Sequence, residues 1–169
     1  MNPMLKKLVE QNFLTESQVE YLEKAIGRKE TIIVSGHKGW GIRPLMATLM
    51  AVAKMNSKAI QVKGFDDLNN EEAEYFLIPG ISDIDFEKLI AQAMATPNSS
   101  FISIKDPEHP YSIFKLLRQV FKENKDNSKV YQVLECAKID DMPKLVKITQ
   151  ITLDEKGKLI KVDFEGYNF

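Results

Sequence analysis

Thr31-Ile32-Ile33-Val34-Ser35-Gly36-His37-Lys38-Gly39-Trp40-Gly41-Ile42-Arg43 is the stretch on which the fold turns. Its opening residues are mostly β-branched, which favours a short strand. Gly36, Gly39 and Gly41 then allow a turn, and residues 43–55, rich in leucine, alanine and methionine, favour a helix whose first turn suits Pro44. Strand, glycine turn and helix in that order is the setting of a phosphate-binding loop, in which glycines let backbone amides face phosphate oxygens. Gly36 and Gly41 carry the required spacing. A hydrolytic loop then needs a lysine for the outer phosphates and a hydroxyl for magnesium. Ile42 and Arg43 occupy those two positions. Isoleucine offers neither charge nor donor, and arginine offers no oxygen to a metal.

Outward from the loop, residues 4–13 and 16–26 place apolar side chains at helical intervals, with Thr15 as a cap and Gly27 as a terminator. Residues 1–27 are read as lead-in helices packed on a domain that fills residues 28–169. Downstream, residues 58–63 read as a strand, residues 69–74 as the start of a short helix, and Pro79-Gly80 as a connection. Asp83 or Asp85 caps a helix whose apolar face holds Phe86, Leu89, Ile90 and Met94. Residues 101–104 form a strand, and a helix with Ile113, Leu116, Leu117 and Val120 follows a proline turn. Residues 130–137, 144–153 and 159–164 then read as successive strands, with Asp154 to Gly157 turning between the last two. The expected fold class is α/β. A mostly parallel sheet of the P-loop NTPase kind is flanked by helices and finished by antiparallel strands toward the C-terminus. Ile33, Ile60 and Ile102 are expected on neighbouring strands.

Composition narrows the function classes. At 169 residues, 44% apolar and 28% charged, the chain suits one folded domain. A net charge of -1 offers no broad cationic face, so nucleic acid is disfavoured as a partner despite a local basic rim of Arg28, Lys29, Lys38 and Arg43. Cys136 cannot pair within the chain and reads as a small core residue, and His37 and His109 are too few for a histidine-rich metal site. No apolar run is long enough to span a bilayer, so membrane insertion is not expected and a cytoplasmic location is the default. Ser35 and His37 lack the setting of a serine hydrolase. Trp40 either covers a partner surface or seals the loop, and Phe164, Tyr167 and Phe169 either meet a partner or close the core.

The ordered motifs resemble the ATPase domain of bacterial type II and type IV secretion, conjugation and Flp-pilus assembly motors. Residues 14–22 resemble that family's approach to the strand and loop, and Val62-Lys63-Gly64-Phe65-Asp66-Asp67-Leu68 looks like a remnant of its acidic box. Lys63 and Gly64 replace the family's glutamate and aspartate, while Asp67 matches the later acidic position. Phe101-Ile102-Ser103-Ile104-Lys105-Asp106 is similar to the Walker B strand, with Lys105 for glycine, Asp106 for glutamate, and Glu108 where an arginine is expected. The family's histidine-bearing strand has no recognisable counterpart. The resemblance implies a ring-forming ATPase ancestry, and secretion or conjugation components as partners.

These readings converge on a non-catalytic or regulatory P-loop-like interaction protein, with a protein partner or self-association, and with no catalytic residue and no resident metal. The alternative is a weak nucleotide- or phosphate-binding protein with little or no hydrolysis. Gly36, Lys38, Gly39, Gly41 and Arg43 are its candidate phosphate-binding residues, and Asp67 and Asp106 its candidate remnant acidic site. No cofactor is expected under the first reading; ATP or ADP with magnesium is the ligand of the second.

Overall fold

Capping chemistry sets where the helices begin. In the computed structural model, which describes residues 1–165, Asn2 caps α1 (Pro3–Glu10), with Pro3 in the first turn, where its missing N–H costs nothing. Thr15 and Gln18 form a reciprocal capping box at the start of α2 (Glu16–Gly27), each side chain bonding the other's backbone N–H. Strand β1 (Thr31–Ser35) follows, then α3 (Ile42–Asn56), β2 (Ala59–Gln61), a 3-10 turn (Phe65–Asn69) and β3 (Tyr75–Ile78). Asp85 caps α4 (Phe86–Ala95), β4 (Ser100–Lys105) follows, and Ser112 caps α5 (Ile113–Asn124). The chain ends in β5 (Tyr131–Ile139), β6 (Met142–Leu153) and β7 (Leu159–Asp163).

The strands form one seven-stranded sheet in the order β2-β3-β4-β1-β5-β6-β7. From β2 to β5 all pairings are parallel, and β5-β6 and β6-β7 are antiparallel. The α/β class, the flanking helices and the antiparallel finish agree with the sequence reading. One expectation is corrected: Ile33 on β1 and Ile102 on β4 do lie on adjacent strands, but Ile60 on β2 is separated from β4 by β3. The intervening strand, Tyr75-Phe76-Leu77-Ile78, is buried throughout, so it shows none of the alternation that marks a half-exposed strand. The expected helix at 69–74 is also displaced, because the helical turn occupies Phe65–Asn69.

From β1 the chain crosses through α3 toward β2, whereas from β4 it crosses through α5 toward β5. Right-handed crossovers in opposite directions place the two helices on opposite faces and leave a crevice at the carboxyl ends of β1 and β4. Helix α3 packs on β1 and β4, and α1 and α2 pack against α3 on that face, while α4 and α5 pack together. Among the described residues no helix is long and apolar enough to cross a membrane. Tyr167 and Phe169 lie outside the described residues.

Candidate functional site

The glycine loop sits at this crevice because β1 ends at Ser35 and α3 begins at Ile42. Gly41 takes φ +85°, the left-handed conformation that costs glycine little, and a Cβ there would overlap the Phe13 ring. A Cβ on Gly36 would stand 2.8 Å from Ile42 Cγ2 and 3.2 Å from the Cys136 carbonyl. Both flanking glycines of the loop are therefore required by packing within this chain. Gly39, also at φ +85°, faces open space beside the exposed His37 and Lys38.

The seal over Gly41 comes from the N-terminal segment. Helix α1 stops at Glu10, Asn12 turns the chain at φ +60°, and Phe13 leaves the helical path to pack at 7% exposure. Its carbonyl accepts from the Leu145 N–H at 3.1 Å, and the buried Gln18 amide donates to the Leu145 carbonyl at 3.0 Å. A register shift at Glu135/Cys136, in the pairing of β5 with β6, lies beside this clasp. Ile42, which the sequence pattern sets where a phosphate-binding loop would carry its lysine, is 2% exposed and packs in the core. Of the loop amides, Gly36 N–H already donates to the Lys105 carbonyl at 3.2 Å, and Trp40 N–H to the His37 carbonyl at 3.1 Å. Helix α3 begins with no side-chain cap, and exposed Arg43 lies in its first turn. Trp40 is half-buried, its ring 4.4 Å from that of His37.

Asp106 ends the neighbouring strand and is turned inward, with its side chain 6% exposed. One oxygen, Oδ1, accepts the His109 backbone N–H at 2.8 Å and lies 2.8 Å from His109 Nδ1. The other, Oδ2, is 4.0 Å from Arg43 Nη2, whose side chain is 58% exposed; at that distance and exposure the pair contributes little. The buried His109 ring fills the space over Gly80 and meets Phe86 edge-on, with centroids 4.8 Å apart. His109 is the partner that sequence reading missed. Its only signal was the i, i+3 spacing from Asp106, which becomes a contact only because the Pro107-Glu108 turn folds back on the strand end.

Between these parts lies a cleft of about 700 Å³, walled by Gly36 and Trp40 on the loop side, Asp106 and Tyr111 on the β4 side, and Glu135 and Cys136 on β5. Its volume suits a small ligand. Burial pushes the Cys136 thiol up to about 12 and the Tyr111 phenol upward too, so neither is poised as a nucleophile or base. Of the sequence-predicted residues, Gly36 and Asp106 line the cleft, while Lys38, Gly39, Gly41 and Arg43 lie outside its lining. Asp67 is not brought to it either. Its carboxylate accepts the Lys63 and Gly64 N–H groups at 2.7 and 3.2 Å in the turn after the edge strand β2. Asp106, Glu108 and His109 could present ligand atoms within 4.8 Å of one another, but Asp106 and His109 already satisfy each other.

No protein-family model matches the chain, and no curated protein matches it. Solved structures do. The VirB11 ATPase of the Brucella suis type IV secretion system, determined in complex with sulphate, aligns at 16% identity with a TM-score of 0.52, over 88% of this chain and 56% of its own. The Legionella pneumophila ATPase DotB aligns at 13% identity with a TM-score of 0.46, over 88% of this chain and 51% of its own. The chain spans about half the length of these ATPases. The likeness to VirB11 is one of fold.

Proposed function

We propose that this chain is a non-catalytic protein on a secretion-ATPase fold, acting through protein contacts in an interaction or regulatory role tied to secretion or conjugation machinery. The observation that carries this reading is Ile42. Where a hydrolytic loop holds a lysine against the outer phosphates, this chain buries an isoleucine in the core under Gly36. Arg43 in the hydroxyl position supplies no ligand to magnesium, and Asp106 spends one carboxylate oxygen on His109. A cytoplasmic location goes with this role. The test is phosphate release from ATP with magnesium. The native chain and Asp106→Asn should both match a heat-denatured control; saturable turnover that Asp106→Asn reduces would overturn the reading.

A second reading, weak binding of an oxyanion at the loop, draws on the uncapped start of α3 beside exposed Lys38 and Arg43. VirB11, a protein of the same fold, was determined as a sulphate complex. Titration of phosphate, ADP and ATP against the amide resonances of residues 36–41, with and without magnesium, separates the readings. Saturable shifts weakened by Lys38→Ala or Arg43→Ala favour the second reading, and silence at those amides leaves the first.

A further inference from the structure

The sheet ends at β7, and among the described residues no strand pairs with its outer edge. The hydrogen bonds to β6 fix which groups face outward. Phe164 N–H donates to the Ile148 carbonyl and Asp154 N–H to the Lys158 carbonyl, in a ladder that sets Val162 opposite Gln150. Even-numbered residues of β7 therefore spend their backbone groups on β6, and the N–H and C=O of Leu159, Lys161 and Asp163 point to the open edge.

We propose that this edge is the seam of a two-fold symmetric dimer, in which β7 pairs antiparallel with β7 of a second copy about Val162. With the axis at Val162, Lys161 stands opposite Asp163 of the second copy, and the reciprocal pair repeats the attraction. Both residues present outward backbone groups, so each such pair exchanges two hydrogen bonds. Ile160 stands opposite Phe164 of the second copy, and Val162 opposite itself. Moving the axis to Lys161 or Asp163 sets like charges face to face, which is destabilising. Moving it to Ile160 leaves Lys161 opposite Leu159. Charge thus selects one register.

Side-chain placement fits the same seam. Ile160 and Val162 are 45% and 54% exposed on one face of the strand, an apolar pair that a second copy would cover. On the other face the charges are already held in place: Lys161 Nζ lies 3.8 Å from the centroid of the Phe114 ring, and Asp163 Oδ1 accepts from Thr149 Oγ1 at 3.1 Å. Less side-chain freedom remains to be lost on pairing. A row of lysines would block an edge strand. Opposite charges two residues apart do the reverse when the partner runs antiparallel. This inference rests on β7 alone and stands whether or not the glycine loop binds a ligand.

The experiment is light-scattering mass across a concentration series of the full chain, with circular dichroism as the check on folding. The native chain should approach twice the monomer mass. Lys161→Glu and Asp163→Lys should each halve that mass, because each sets like charges opposite at both positions. An equimolar mixture of the two variants should regain the doubled mass, since Glu then faces Lys and Asp faces Lys. If either variant unfolds, Val162→Lys, which sets two ammonium groups opposite on the axis, should give the monomer mass. A native chain that stays monomeric, single variants that dimerise like the native chain, or a folded mixture that stays monomeric would each overturn the proposal.

Discussion

At the amino ends of the parallel strands, the Glu30 carboxylate accepts from Arg28 Nε and Gln132 Nε2, both at 2.9 Å, and Tyr21 donates to Gln132 at 2.8 Å. The Tyr75 hydroxyl donates to the Glu30 carbonyl, Ser100 to the Lys29 carbonyl, and the Lys129 ammonium to the Ala93 and Thr96 carbonyls. At the carboxyl ends the same strands open onto a cleft of about 700 Å³ whose loop is backed by Ile42 and Phe13. The hydrogen bond from Arg28 to Glu30 raises the guanidinium, and burial raises Tyr75 and Tyr131 and lowers Lys129, all at the amino end. At the cleft, burial raises Tyr111 and Cys136. The cleft is thus backed by packed apolar side chains, while the dense polar network lies at the opposite end of the sheet.

The largest expected effect tests that division. Glu30, whose side chain is 10% exposed, is the acceptor for the fully buried Gln132 amide and for the half-exposed Arg28, so Glu30→Leu should cost about 3 kcal/mol, read from the denaturant midpoint. Glu30→Gln keeps an acceptor for one of them and should recover part of the loss. A cost for Glu30→Leu no greater than that of an exposed substitution would mean that the amino end does not anchor the fold.

A smaller effect is expected at the carboxyl end. Gly41→Ala forces a side chain into φ +85° and into the Phe13 ring, which should cost about 2 kcal/mol. Phe13→Leu in the same chain should return some of that loss by making room. The two changes should therefore couple in a double-mutant cycle. Strict additivity would show that Phe13 does not hold the loop.

Much of the carboxyl end was legible because glycine spacing between a β-branched strand and a helix reports backbone geometry directly. Gly36, Gly41 and a helix expected from Arg43, one residue after the observed start of α3 at Ile42, follow from residues close in sequence. The apolar spacing of Phe13 fits the last residue of a helix, and only the turn at Asn12 frees it to cover the loop. Asp106 was recognised by its strand, but its commitment to His109 depends on a fold-back that propensity does not encode. Strand β3 is not legible in the sequence because four buried residues ahead of Pro79-Gly80 carry no period to read. The amino-end network was illegible for a more general reason. Tyr21, Glu30 and Gln132 are joined across 111 and 102 residues of sequence, and nothing local marks one glutamine among several as buried.

The smallest effect is a slope. Lys129 follows α5 and reaches the last carbonyls of α4, where burial pushes its ammonium down to about 8, with Asp126 drawing it partly back. In the unfolded chain the same group titrates near the ordinary lysine value of about 10.4. Below pH 8 both states carry the proton, so this group adds no pH dependence and its desolvation cost is present in full. Between about 8 and 10 the folded state gives up its proton first, and unfolding must take one back up. Stability should therefore rise with pH, by up to about 1.4 kcal/mol per unit from this group alone. From about 8.5 the buried Cys136, and above about 10 the buried Tyr75, Tyr111 and Tyr131, act in the opposite sense, because they ionise more readily in the unfolded chain than in the folded one, so the Lys129 contribution is read as the difference from a variant that keeps all four. The window for measurement is thus pH 8 to 10, with denaturant melts of the native chain and of Lys129→Met compared at each pH. The native chain should gain stability across the window relative to the variant. Parallel curves would mean that Lys129 keeps its proton in the fold, and that the amino end tolerates a buried charge which the helix carbonyls alone can satisfy.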